Sequence, residues 1–320
     1  MRNIIKIVYC IILLFGFTSL YGQSKKIVEK EIVLKTETGN LVGKIVTPKK
    51  KGSDKIVLII AGSGPTDMDG GNNMGMKTNC YKQIAEELAL NNISSIRFDK
   101  RGIAKSISAA PKTENEMSFE VMVNDVVDWI SLIEKDKRFK NIYIMGHSEG
   151  SLIGILAAQK KNVKGFISLA GTGRSIEIVL KEQLANQLKG DSLILCNAIL
   201  DSLKLQKAYK NPPSYLNALL RESIQPYLMS WFKYDPAVEL AKLNFPSLII
   251  QGENDIQVSL VDYQKLSEVD SKNTSKLIKE MNHVLKDAPK DRNANILTYY
   301  DPNLKLSKEL MPTIISYILK

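Results

Sequence analysis

Histidine is nearly absent from this chain: His147 and His283 are the only two in 320 residues. Cysteine is almost as scarce, with Cys10, Cys80 and Cys196 far apart and no C-x-x-C spacing. So little imidazole and thiol leaves no Cys/His cluster for zinc, and neither a metal nor a cofactor is expected. Internal repeats and low-complexity tracts are absent, which excludes solenoid architectures. Aromatics make up 7% of residues and do not interleave with a basic stripe, and no nucleic-acid motif is present. The net charge of +10 comes mostly from scattered lysines and does not point to nucleic acid. A basic face of that kind favours anionic substrates or an anionic membrane surface. Lys49-Lys50-Lys51 falls in an apparent turn and reads as a solvated loop.

The beginning of the chain has a pattern of its own. Arg2 and Lys6 form a positive start, Ile7 to Phe17 is apolar, and Thr18-Ser19-Leu20-Tyr21-Gly22 supplies small residues. That is the layout of a secretory signal peptide over residues 1–22, with cleavage expected after Gly22. The apolar run is short for a membrane span of about 20 residues, so no stable span is expected after processing. Cys10 lies too far forward in the run to be a lipoprotein cysteine. The mature chain then carries 42 basic and 34 acidic residues, a net charge of about +8. Export would permit a Cys80–Cys196 disulfide, but the spacing does not establish one.

The most informative segment is Gly146-His147-Ser148-Glu149-Gly150. It follows a β-forming run, Asn141 to Met145, and precedes an apolar stretch, Ser151 to Ala158, that suits a buried helix. A serine on so tight a strand-to-helix turn needs small residues two positions to either side, and Gly146 and Gly150 supply them. The turn lifts the Ser148 hydroxyl above the sheet edge, and the helix start directs N–H groups toward a developing oxyanion.

A nucleophilic serine needs a base. His147, adjacent to Ser148, is expected to point away from it, which leaves His283, just past a strand-like run at Ser275 to Lys279. The acid that orients the imidazole should lie between Ser148 and His283 in chain order. Asp255, in the loop after the apolar strand that ends at Gly252, is the choice, with Glu253 the runner-up. The oxyanion donors expected are the backbone N–H of Glu149 and that of Ser63, with Gly64 the alternative to Ser63. Ser63 and Gly64 lie in Gly62-Ser63-Gly64-Pro65-Thr66-Asp67, directly after the strand at Lys55 to Ala61. Asp67, Asp69, Asn72 and Asn73 do not fit the calcium-loop spacing and read instead as Asx-turn residues. Asp99 and Arg101 are expected to hold neighbouring loops.

These stretches, with Asp69-Gly70, Arg97 to Gly102 and Gly252 to Val258, occur in an order that resembles the bacterial α/β-hydrolase superfamily of serine hydrolases. The resemblance is to the serine-aminopeptidase-like, dienelactone-hydrolase-related esterase group, and it covers Lys55 to about His283 apart from a variable middle stretch. It implies carboxylesterase activity with Ser148 as nucleophile, Asp255 as acid and His283 as base. Two positions depart from the group's pattern: Ala104, where a second glycine is common, and Met68, where a basic residue is common.

Elsewhere, residues 27 to 47 read as a hairpin turning at Thr38-Gly39-Asn40. Helices are expected at Tyr81 to Leu90 and Phe119 to Ile133, and strands at Ser94 to Phe98 and Lys164 to Ala170. A terminal helix is expected over Ser307 to Leu319, kinked or restarted at Pro312. This alternation argues for an α/β fold, a mostly parallel sheet flanked by helices. Residues 23–173 and 244–320 would form the hydrolase core. Residues 174–243, helical in pattern and rich in aromatics, would form a cap whose aromatics are mainly its own core but which could shape specificity. The expected function is a secreted or periplasmic serine hydrolase cleaving small-molecule carboxylic esters through an acyl-enzyme. The alternative is an aminopeptidase using Glu177, Glu182, Glu222 or Glu239 to hold a free amino terminus. Acyl preference and oligomeric state are not legible.

Overall fold

The computed structural model describes residues 26–50 and 52–320, so the export segment expected at 1–22 lies outside the described residues. Eight strands form one sheet: β1 (Ile27–Lys35), β2 (Asn40–Pro48), β3 (Lys55–Ile60), β4 (Ser94–Phe98), β5 (Asn141–His147), β6 (Gly165–Leu169), β7 (Ser247–Gly252) and β8 (Thr274–Ile278). Their order is β1-β2-β4-β3-β5-β6-β7-β8. β1 and β2 pair antiparallel at one edge, and β2 meets β4 antiparallel. From β4 onward every pairing is parallel.

Parallel strands buried on both faces read as unbroken apolar runs, and β3 illustrates why. Ile56, Leu58 and Ile60 face one hydrophobic cluster, while Val57 and Ile59 face the other. Each such side chain contributes roughly 1.5–3 kcal/mol on burial. The helices covering these faces are α1 (Cys80–Leu90), α2 (Phe119–Glu134) and α3 (Glu149–Ala158), then α9 (Leu260–Ser267) and α11 (Leu310–Leu319), while α10 (Arg292–Leu297) ties to the loops after β7 and β8 through Asn295. α1 and α11 pack on one face, α2 and α3 on the other. Ser118 caps α2, its hydroxyl accepting the Val121 N–H at 3.3 Å. Every residue of α3 is buried, consistent with its apolar sequence. α11 begins at Leu310, so Pro312 sits in its first turn, where a missing N–H costs little.

Between β6 and β7 the chain forms α4 (Ile176–Ala185), α5 (Gly190–Lys204), α6 (Asn217–Leu220), α7 (Gln225–Trp231) and α8 (Pro236–Leu240). Pro226 and Pro236 lie in the first turns of α7 and α8, and the Asp235 carboxylate caps α8. The aromatics here are packing groups. Trp231 stacks on Phe119 of α2 at 5.3 Å between ring centroids, and Tyr227 and Tyr234 pack against the same phenyl ring. Cys80 and Cys196 are both free and buried, on α1 and α5. Among the described residues no helix is long and apolar enough to cross a membrane.

Candidate active site

The turn from β5 into α3 is held by steric exclusion. A Cβ on residue 146 would meet the Gly150 carbonyl oxygen at 2.1 Å, and one on residue 150 would meet the Ile60 and Ala61 carbonyl oxygens at 2.6 Å. Only glycine fits either place. Between them Ser148 takes φ 53° and ψ −121°, a strained backbone for a residue with a side chain. Hydrogen bonds brace it from both sides: the Ser148 N–H donates to the Leu169 carbonyl, and the Ser148 carbonyl accepts from the Ser151 N–H, each at 2.9 Å.

Asp255 follows β7 and His283 follows β8, and parallel pairing of these strands brings the two loops together at one sheet end. His283 Nδ1 lies 2.8 Å from Asp255 Oδ2. The carboxylate also accepts the N–H groups of Gln257 (2.7 Å) and Val258 (2.9 Å) and the Gln251 side-chain amide (3.0 Å). With this much donation the acid is fixed as an acceptor, and the imidazole proton belongs on Nδ1. Glu253, the runner-up, is exposed and makes no contact of this kind. The His283 loop is tied down by Asn282, whose side chain donates to Asn295 Oδ1 and Thr298 Oγ1 and accepts the Lys286 N–H.

The glycine-started loop after β3 passes directly beside the serine. A Cβ on Gly62 would lie 3.2 Å from Ser148 Cβ. Among the described residues the Ser63 N–H donates to no protein acceptor, which leaves it available to a substrate oxygen.

Sequence reasoning assigned His147 no part in the site beyond pointing away from Ser148, and here the structure adds something. Its ring bridges the two loops. Nε2–H donates to the His283 carbonyl at 2.7 Å, and Nδ1 accepts the Tyr81 hydroxyl at 2.7 Å. The Tyr81 oxygen in turn accepts the Gly62 N–H at 3.0 Å. Since a carbonyl can only accept, the proton belongs on Nε2, and the ring must be neutral for Nδ1 to accept. Burial, reinforced by the neighbouring His283, depresses the His147 pKa to about 3 and keeps it so. No sequence signal short of the three-dimensional meeting of Tyr81, His147 and His283 would have exposed this link.

The loop residues take the structural parts expected of them. Asp67 Oδ1 accepts the N–H groups of Asp69 and Gly71, and Asn72 Oδ1 those of Met74 and Met76, which is Asx-turn chemistry. Asp99 accepts the Met68 and Lys105 N–H groups, and Arg101 pairs with Asp125. Ala104 has φ 43°, a left-handed backbone that costs a residue with a Cβ roughly 1–2 kcal/mol; this is the physical reason a glycine is common there.

Beside Ser148 and His283 lies a cavity of about 240 Å³. Its lining includes Met74, Met76, Thr78, Val284 and Tyr299. Among the described residues no Asp, Glu, Lys or Arg lines it, and no residue of 174–243 does so. Specificity was expected from that stretch, yet the wall next to the serine comes from the connection between β3 and α1. The four glutamates considered for an amino terminus are engaged elsewhere. Glu177 pairs with Lys204, Glu182 with Arg174 and Glu239 with Lys242, while Glu222 accepts the Asn211 N–H.

A mostly parallel sheet with a serine on a glycine-flanked strand-to-helix turn defines an α/β-hydrolase. Residues 72–287 match the hydrolase family described as serine aminopeptidase, S33, and the chain belongs to that family. Esterase EstD of Thermotoga maritima is 26% identical over 269 residues, which cover 83% of this chain and 62% of that protein. The chain thus spans less than two thirds of that relative's length. Among solved structures, Est1E from Butyrivibrio proteoclasticus with ferulic acid bound superposes with a TM-score of 0.61 at 16% identity, covering 90% of this chain and all of that one. An esterase of Pyrococcus furiosus gives a TM-score of 0.56 at 16% identity over 92% of this chain and 90% of that one. At such identities the likeness is one of fold.

Proposed function

We propose that this protein is an exported serine hydrolase that cleaves small, uncharged carboxylic esters through an acyl-enzyme. The observation that carries this reading is the cavity beside Ser148: among the described residues its lining holds His147 and His283 but no Asp, Glu, Lys or Arg, so no carboxylate is there to bind an α-ammonium. An aminopeptidase needs such a carboxylate, which makes ester hydrolysis the better fit; the esterase character of the Thermotoga relative supports the same choice. Taking a water-sized volume as about 30 Å³, the cavity has room for roughly eight heavy atoms, which favours short acyl groups.

In this reading Ser148 Oγ attacks the ester carbonyl carbon while its proton passes to His283 Nε2. Asp255 holds the imidazole by its Nδ1–H and stabilises the cation that forms. The Ser63 and Glu149 N–H groups receive the carbonyl oxygen as it becomes an oxyanion; each donor is typically worth roughly 3 kcal/mol. Collapse breaks the C–O bond to the alcohol, which leaves with the proton from His283. Water then attacks the acyl-serine, giving its proton to His283, and the acid departs as the proton returns to Ser148.

Protein beginning at Gln23 should be labelled by a fluorophosphonate, and Ser148→Ala should not. It should turn over short p-nitrophenyl esters faster than aminoacyl-nitroanilides; a preference for the anilides would move the assignment to aminopeptidase. Export rests on the first 22 residues, and finding Gln23 as the N-terminus of protein recovered from the cell envelope or medium would test it.

A further inference from the structure

We infer that Lys100 is a positioning residue of the oxyanion loop, orienting the Gly62–Ser63 peptide from behind and tying it to Glu149. The inference rests on Ser148 being the nucleophile and on the Ser63 and Glu149 N–H groups being the oxyanion donors.

Both polar ends of Gly62 are held. Its N–H donates to Tyr81, and its carbonyl accepts the Lys100 ammonium at 2.5 Å. In a trans peptide the carbonyl of one residue and the N–H of the next point in opposite directions. A cation gripping the Gly62 carbonyl on one side therefore turns the Ser63 N–H to the other. The same pull polarises the peptide and makes that N–H a stronger donor.

Lys100 reaches the second donor too. Its ammonium lies 3.1 Å from Glu149 Oε2, and the other oxygen of that carboxylate accepts the Tyr227 hydroxyl at 2.5 Å. Lys100 and Glu149 are each 4% exposed. A buried ion pair of this kind is poor value for stability, because desolvation offsets most of the attraction and apolar residues of similar volume do as well or better. What it supplies is fixed geometry: one ammonium links the peptide that carries the first donor to the residue that carries the second. Tyr227, on α7, is where the 174–243 stretch touches this machinery, through a side chain and not through the cavity wall.

The test compares kcat, KM and the affinity of a short alkylboronate, which forms a tetrahedral anion on the serine, in wild type and two variants. Lys100→Met/Glu149→Gln removes the contact without stranding a buried charge. It should lower kcat by about 30–300-fold, somewhat less than deleting an oxyanion donor outright, with boronate affinity falling in parallel and KM within about twofold. Lys100→Arg keeps the charge but replaces the compact head by a planar fork, and should lose about 3–10-fold in the same pattern; it carries the test if the double variant does not fold. Boronate affinity within twofold of wild type in a folded variant, or a loss confined to KM, overturns the inference. Fluorophosphonate labelling of wild type separates the two levels: an unlabelled, inactive wild type sinks the functional reading and this inference with it. A labelled wild type with an unaffected variant sinks this inference alone.

Discussion

Two long connections rise from the same end of the sheet, and they do different work. The one between β3 and α1, residues 61–79, contains no helix and spends its side-chain polarity on its own backbone. Asp67 and Asn72 each gather two N–H groups, Arg97 holds Asp69 from the sheet, and what remains facing Ser148 is a neutral wall with Met74 and Met76. The one between β6 and β7 is mostly helix. Tyr227, Trp231 and Tyr234 are used on Phe119 and, for the first two, on each other, while Glu177, Glu182 and Glu239 pair with its own lysines and arginine and Glu222 accepts a backbone N–H. A segment that must approach a substrate closely is better built from backbone whose polar groups are already satisfied, whereas a helical insertion must first bury its own apolar face. Sequence length and aromatic content made the second segment look like the specificity element, whereas the described lining of the cavity beside Ser148 draws on the first and on no residue of 174–243.

The largest expected effect tests whether catalysis belongs to the core side at all. Ser148→Ala should reduce ester turnover by roughly 10⁴–10⁶-fold without changing the thermal unfolding midpoint. A folded insertion variant that lost as much would erase the contrast. Next comes stability: Leu200, fully buried on α5, should cost about 2–5 kcal/mol when changed to Ala, measured by urea unfolding. Turnover per folded molecule should stay within a few fold, and a parallel loss of kcat would bring the insertion into the site.

Acid should loosen the loop side selectively. The unfolded chain protonates His147 near its ordinary value of about 6.5, whereas the folded protein resists protonation there down to about 3. The folded state therefore binds fewer protons in that interval. The contribution is fully present above pH 6.5 and declines as pH falls toward 3, by roughly 3 kcal/mol at about pH 4. His147→Gln should flatten that part of the stability–pH curve; an unchanged slope would show that His147 is not the group responsible. The smallest effect is on selectivity. Met76→Ala should shift preference toward longer acyl chains by about tenfold per added methylene accommodated, read from kcat/KM across p-nitrophenyl esters. Ile194→Ala, on the exposed face of α5, should leave the profile where it is.

Much of this was legible in one dimension because it depends on local rules. Gly146 and Gly150 announce a turn that tolerates no Cβ, unbroken aliphatic runs announce strands covered on both faces, and the order Ser148, Asp255, His283 narrows the partners. Asp255 could be preferred to Glu253 only by pattern, and the 2.8 Å approach to His283 is what separates them. The His147 bridge, the Lys100 grip on the Gly62 carbonyl and the origin of the cavity wall gave no such sign. Each joins residues from different strand ends, and nothing in their spacing along the chain encodes a meeting that depends on sheet order.

The sequence by itself determined the sheet-and-helix alternation, the strained serine turn and the short roster of groups able to serve it, because backbone sterics and residue scarcity act locally. Tertiary structure alone decided which loops share a wall, which buried charges face each other and which histidine ties the loops together. Those outcomes follow from the parallel pairing of β3, β5, β6, β7 and β8, which gathers distant loops at one end of the sheet.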